Sequence, residues 1–155
     1  MKPKLGKKNP NYKQGIFKPT NPLKYKGSFP VVYRSGLELQ VFRWMDNNVN
    51  VTSWGSESVV IPYQSPLDGR VHRYFPDLVA HLNSRDGTVK KLLIEIKPER
   101  QTLPPVNNTG RKKPKTMMYE QVQYAVNQKK WEAAKAWANS KGYQFIILTE
   151  KNINS

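Results

Sequence analysis

Three residues in the middle of the chain have the types and spacing that phosphate chemistry needs. Asp77 follows Phe75 and Pro76 in the stretch HRYFPD, and Glu95 and Lys97 stand two apart in LLIEIKP. A carboxylate inside an apolar strand is costly unless something pairs with it. Side chains alternate along a strand, so Glu95 and Lys97 share a face. Whether Asp77 joins them depends on the turn between two strands expected over 70–82 and 89–97. A two-residue Asp86-Gly87 loop would set Asp77 opposite Ile96, on the wrong face. A three-residue loop over 85–87 sets it opposite Glu95, and Gly87 then takes the left-handed position that such loops favour. The longer turn is the expected one.

Two carboxylates at cross-strand distance, about 5 Å, resist ionising together unless a cation lies between them. Mg²⁺ or Mn²⁺ would take one oxygen from each and leave positions for water and phosphate. Lys97 beside that ion would hold the attacking water or steady the phosphate in its transition state. The competing reading is an ordinary exposed hairpin face whose ion pairs are worth little. An Asp followed by Glu-x-Lys is common by chance. Pro76 before Asp77, the apolar residues around Glu95 and the charge of the chain favour catalysis.

That charge is large. Among 155 residues, 26 are Lys or Arg and 11 are Asp or Glu, a net charge of +15. A polyanion is therefore the expected partner, and nucleic acid comes first. With no cysteine there are no thiolate ligands, and His72 and His81 are too few for a zinc site by themselves, so a hard ion on carboxylates is the metal to expect. No apolar run is long enough to span a bilayer and the basic N-terminus lacks a signal-peptide core, so no membrane partner is expected.

The elements that must position the three residues can be read coarsely. Residues 1–37 carry no acid and many Lys and Pro. They read as an extended basic arm over 1–30, with Tyr12, Phe17 and Tyr25 as anchors, ahead of a domain over 31–155. A helix is expected over 35–47, with Leu37, Val41, Trp44 and Met45 on its apolar face and Ser35 with Glu38 as a capping box. VTSWGSESVVIPY reads as a turn and one strand ending near Pro62, with Glu57 a strand-edge carboxylate. The acid-free loop over 100–115 carries Arg111, Lys112, Lys113 and Lys115, a phosphate clamp.

A helix then covers 116–140, with a break near Asn127-Gln128, and stops at Gly142. YQFIILT closes the chain as a buried strand. The fold class is α/β: a mixed central sheet containing an antiparallel hairpin, flanked by helices. Arg73, an even number of residues from Asp77, shares its face in a continuous strand, while His72 points away to pack or cap. Arg34, Arg73 and Gln101 join the loop cations as expected DNA contacts. Gln121 lies on the later helix, and Trp54, Trp131 and Trp137 belong to the core or an interface.

FPD followed by EIK resembles the signature of the PD-(D/E)XK nuclease superfamily, which implies a restriction-endonuclease-like core. The wider pattern is YRSGLELQVFRWMD, SESVVIPYQSPLDGRVHRYFPDL, LLIEIKP and NQKKWEAAKAWA…FIILTE. It resembles the head-completion nucleases of tailed bacteriophages, relatives of the endonuclease subunit of heteromeric transposases and of phage Holliday-junction resolvases. The resemblance implies Mg²⁺- or Mn²⁺-dependent cleavage of double-stranded DNA after packaging, beside portal or neck proteins. It places the protein at the head–tail connector of the virion, and in the host cytoplasm during assembly. It also implies a third metal ligand, Glu38, beside Asp77 and Glu95. Two other readings stay open: a connector that binds DNA ends or the portal without catalysis, and a resolvase or nicking enzyme for branched DNA.

Overall fold

The structure is a computed structural model and describes residues 14–153. Its elements are β1 (Gly15–Phe17), a 3-10 turn (Pro22–Lys24), β2 (Val31–Tyr33), α1 (Gly36–Asn47), β3 (Val51–Ser56), β4 (Ile61–Gln64), β5 (Val71–Tyr74) and β6 (Leu78–Asn83). They continue with β7 (Val89–Ile96), a 3-10 turn (Glu99–Thr102), α2 (Pro114–Lys141), β8 (Gln144–Leu148) and α3 (Glu150–Ile153).

The central sheet runs β3-β6-β7-β8. Its first three strands are antiparallel, and β8 lies parallel to β7. A parallel neighbour needs a crossover, and α2 supplies it. The class is the mixed α/β one expected. The hairpin register is also the expected one: Leu78 faces Ile94, Ser84 N–H donates to the Thr88 carbonyl, and Gly87 has φ of 85°.

Each face of the sheet has its own core. Phe42, Met45, Trp54, Leu78, Ala80, Ile94 and Ile96 fill the face under α1. Leu93, Trp131, Ala134 and Ala138 fill the face under α2, with Ile61 and Tyr74. Glu95 and Lys97 alternate with Ile94 and Ile96 and so belong with Leu93 on the α2 side.

Several elements depart from the sequence reading. The strand expected over 70–82 is two, because Pro76 has no N–H to give a ladder and biases Phe75 away from regular pairing. β5 pairs instead with β4 in a separate ribbon. The strand expected to end near Pro62 is likewise two, β3 and β4, divided after Ser56. Pro62 is tolerated inside β4 because the ribbon leaves that strand an edge. α2 runs unbroken through Asn127 and Gln128. It opens at Pro114, whose missing N–H costs nothing in the first turn. On α1, Trp44 is 49% exposed, and Phe42 takes the buried place expected of it.

From residue 14 on, the segment expected as an arm is paired and packed. β1 and β2 form a ribbon, and Phe17 and Tyr25 are buried around Trp54, with the Tyr25 and Trp54 rings 4.7 Å apart. Asp46 on α1, 1% exposed, accepts the N–H groups of Thr20 at 2.8 Å and Asn21 at 3.0 Å. Lys24 Nζ donates to the carbonyls of Asp46 and Asn48. Tyr12 lies outside the described residues.

Candidate active site

Asp77 sits one residue before β6, where the break at Pro76 has turned the chain into the hairpin ladder. The register brings it against Glu95 near the end of β7, and its Oδ2 accepts the Ile96 N–H at 2.7 Å. Glu95 is 7% exposed. Its Oε1 lies 3.6 Å from Lys97 Nζ, and its Oε2 accepts from the Tyr74 hydroxyl at 2.5 Å. Lys97 is itself fixed at the backbone, its N–H donating to the Leu148 carbonyl of β8.

Burial raises the pKa of Asp77 well above the usual carboxylate range, and the charges of Glu95 and Glu38 raise it further. Burial also raises that of Glu95, against the Tyr74 hydroxyl and the Lys97 and Lys130 charges. Glu38 is raised by burial too, against the Arg34 N–H and charge. Burial thus raises all three acids, and neighbouring carboxylates add to the shift of Asp77 and Glu38. Hard carboxylate oxygens in that state suit a divalent cation. Among the described residues, no three acidic or histidine side chains form a ready-made metal cluster. The fit is of the Mg²⁺ kind, in which one or two carboxylates leave the remaining positions to water and phosphate.

Glu38 caps the helix. Its N–H donates to the Ser35 side chain, and its Oε2 accepts the Arg34 N–H at 3.0 Å. This is a capping arrangement in which the carboxylate reaches one residue further back than a standard box. Glu57, read from sequence as a strand-edge acid, also stands at the site. Its N–H donates to the Asp77 carbonyl and its Oε1 pairs with Arg34 Nη1 at 3.1 Å. It holds φ of 48°, left-handed for a residue other than glycine. That conformation costs on the order of 1–3 kcal/mol and persists only where the surroundings enforce it.

The sequence matches what this geometry suggests. Residues 48–150 match the TnsA-like endonuclease N-terminal family. Over 146 residues the chain is 38% identical to the head completion nuclease of Enterobacteria phage T4, which covers 91% of this chain and 93% of that protein. The chain belongs to the TnsA-like endonuclease family.

In this endonuclease fold the expected DNA contacts do not all converge on the carboxylates. Arg34 is engaged with Glu57. Arg73 sits on β5 with its guanidinium over the Phe75 ring, and the strand break removes the parity that tied it to Asp77. Gln101 is exposed in the turn Glu99–Thr102. Of the loop cations, Lys112 pairs with Glu120 at 2.7 Å, while Arg111, Lys113 and Lys115 are exposed. His72 contacts Asp68 at 2.9 Å, as a turn-capping residue would. Gln121 is exposed on α2.

Tyr74 and Lys130 were missed. Tyr74 stands two residues before Pro76, and its signal is a polar aromatic at the end of an otherwise exposed strand. The signal for Lys130 is its place four residues after Val126 and four before Ala134, both buried. Among the described residues no helix is long and apolar enough to cross a membrane.

Proposed function

We propose that the chain is a metal-dependent endodeoxyribonuclease that hydrolyses phosphodiester bonds of double-stranded DNA during phage head completion. Its observational support is the convergence of Asp77 and Glu95, with Lys97 on the same face, at a half-buried point of a strongly basic chain. Asp77 and Glu95 are the residues that would hold Mg²⁺ or Mn²⁺, with Glu38 adding negative charge and a further oxygen ligand. When bound, such an ion supplies charge stabilisation at the phosphate and lowers the pKa of a coordinated water.

The chain's own groups set up the rest. The Ile96 N–H orients Asp77, and the Tyr74 hydroxyl orients Glu95. Lys97 donates to the attacking water or to a phosphate oxygen, where a fixed cation meets the charge that develops in the transition state. Arg111 and Lys113 lie along the exposed loop and Lys115 in the first turn of α2, where they hold phosphates without reading bases. The name of the T4 relative supports a role in virion assembly. The protein then works at the head–tail connector beside portal or neck proteins, and in the host cytoplasm during assembly.

The test is incubation with supercoiled and linear duplex in Mg²⁺, Mn²⁺ or EDTA. Cleavage with either metal and none in EDTA is the expected result. Cleavage that persists in EDTA, or none under any condition, contradicts the proposal.

A further inference from the structure

α2 carries a lysine in its buried stripe. Val126, Ala134 and Ala138 are buried. Residues four apart on a helix share a face, so Lys130 stands in the row that α2 turns toward the sheet. An ammonium taken from water in such a row needs something to hold it. The β4–β5 ribbon provides two rings: Lys130 Nζ lies 5.8 Å from the centre of Tyr63 and 5.6 Å from that of Tyr74. Cation–π contacts of this kind fix a charge without neutralising it. Tyr74 in turn donates its hydroxyl to Glu95, so one of the two rings that hold Lys130 belongs to the wall of the site.

None of the ion pairs among the described residues engages Lys130, whereas Lys97 already leans on Glu95. Burial and the charge of Lys97 lower the pKa of Lys130, and Glu95 and Asp77 raise it, which sets all four groups in one electrostatic neighbourhood.

We propose that Lys130 is a substrate-binding residue, its ammonium taking a non-bridging oxygen of the backbone phosphate at or beside the one cut. The assignment rests on the nuclease reading and adds a cation from α2 to Lys97, which follows β7. The competing role is a counter-ion that only offsets the charge of Asp77 and Glu95. The two differ in what they do to binding. A cation that neutralises a phosphate appears in the salt dependence, and removing it changes the slope by about 0.9. Removing a counter-ion does not.

The experiment measures metal-free binding of a duplex by Glu95→Gln and by Glu95→Gln with Lys130→Met, across a series of salt concentrations. The expected result is a slope shallower by about 0.9 in the double variant, restored when Arg replaces Met, because Arg also stacks on aromatic rings and grips phosphate. An unchanged slope overturns the proposal. In parallel, cleavage by Lys130→Met alone is expected to fall roughly 10²-fold in kcat/KM, with Lys130→Arg recovering most of it. Cleavage at the wild-type rate also overturns it. Melting curves confirm that the variants are folded. If the wild type cuts nothing, the nuclease reading fails, and the salt slope still decides whether Lys130 meets phosphate.

Discussion

The backbone N–H of Ile96 donates to Asp77 Oδ2 across 2.7 Å, so the strand that carries Glu95 also fixes the carboxylate facing it. Neither acid waits for substrate to find its place. β7 lies between β6 and β8 in the sheet, and a shift of the site would have to break one of those ladders.

On the proposed reading, the mutual opposition of the acids destabilises the metal-free protein at this point. Asp77→Asn keeps an acceptor for the Ile96 N–H and removes one charge. In EDTA its melting temperature is expected to rise by a few degrees, about 1 kcal/mol. Mg²⁺ or Mn²⁺ is expected to stabilise the wild type, because an ion that binds only the folded state shifts unfolding by mass action. The variant gains little. A variant that melts lower in EDTA, or gains as much from metal as the wild type, contradicts this account.

On the proposed reading, Lys97 acts on the reaction more than on the complex. Replacing it by Ala is expected to reduce kcat by roughly 10²-fold or more, the usual cost of losing one donor to the transition state. Duplex affinity in a gel shift is expected to change only a few-fold, since many phosphate contacts share the binding. Equal losses in both would count against its assigned role.

Asp46 holds the N-terminal segment to α1. Asp46→Ala leaves the Thr20 and Asn21 N–H groups without their acceptor, and the expected cost is on the order of 3 kcal/mol. That corresponds to a melting temperature lower by roughly 10 °C. Faster amide exchange at Thr20 and Asn21 than elsewhere in the protein identifies the cause. A loss spread evenly over the sheet would point to a different role.

Local chemistry was legible in the sequence, and long-range placement was not. Gly87 selected the turn, and the turn set the register that brings Asp77 against Glu95. Ser35 and Glu38 marked the start of α1 in the same way. Pro76 was visible, but its consequence was not: whether a proline bends a strand or ends it depends on whether a neighbour competes for the residues before it, and here β4 does. Phe17 and Tyr25 lay in a stretch whose Lys and Pro content reads as unstructured. Their burial depends on Trp54 and Asp46, residues far along the chain. Lys130 was hidden for a related reason, since a lysine on a long helix looks solvated until the ribbon of Tyr63 and Tyr74 is seen beside it.

The most direct measurement compares wild type with Glu95→Ala on supercoiled plasmid in Mg²⁺ or Mn²⁺, with gel shift on the same DNA. Metal-dependent cleavage by the wild type that vanishes in the variant, while DNA binding survives, is the predicted result. Cleavage by the variant at the wild-type rate would place the chemistry somewhere other than the Asp77–Glu95 pair.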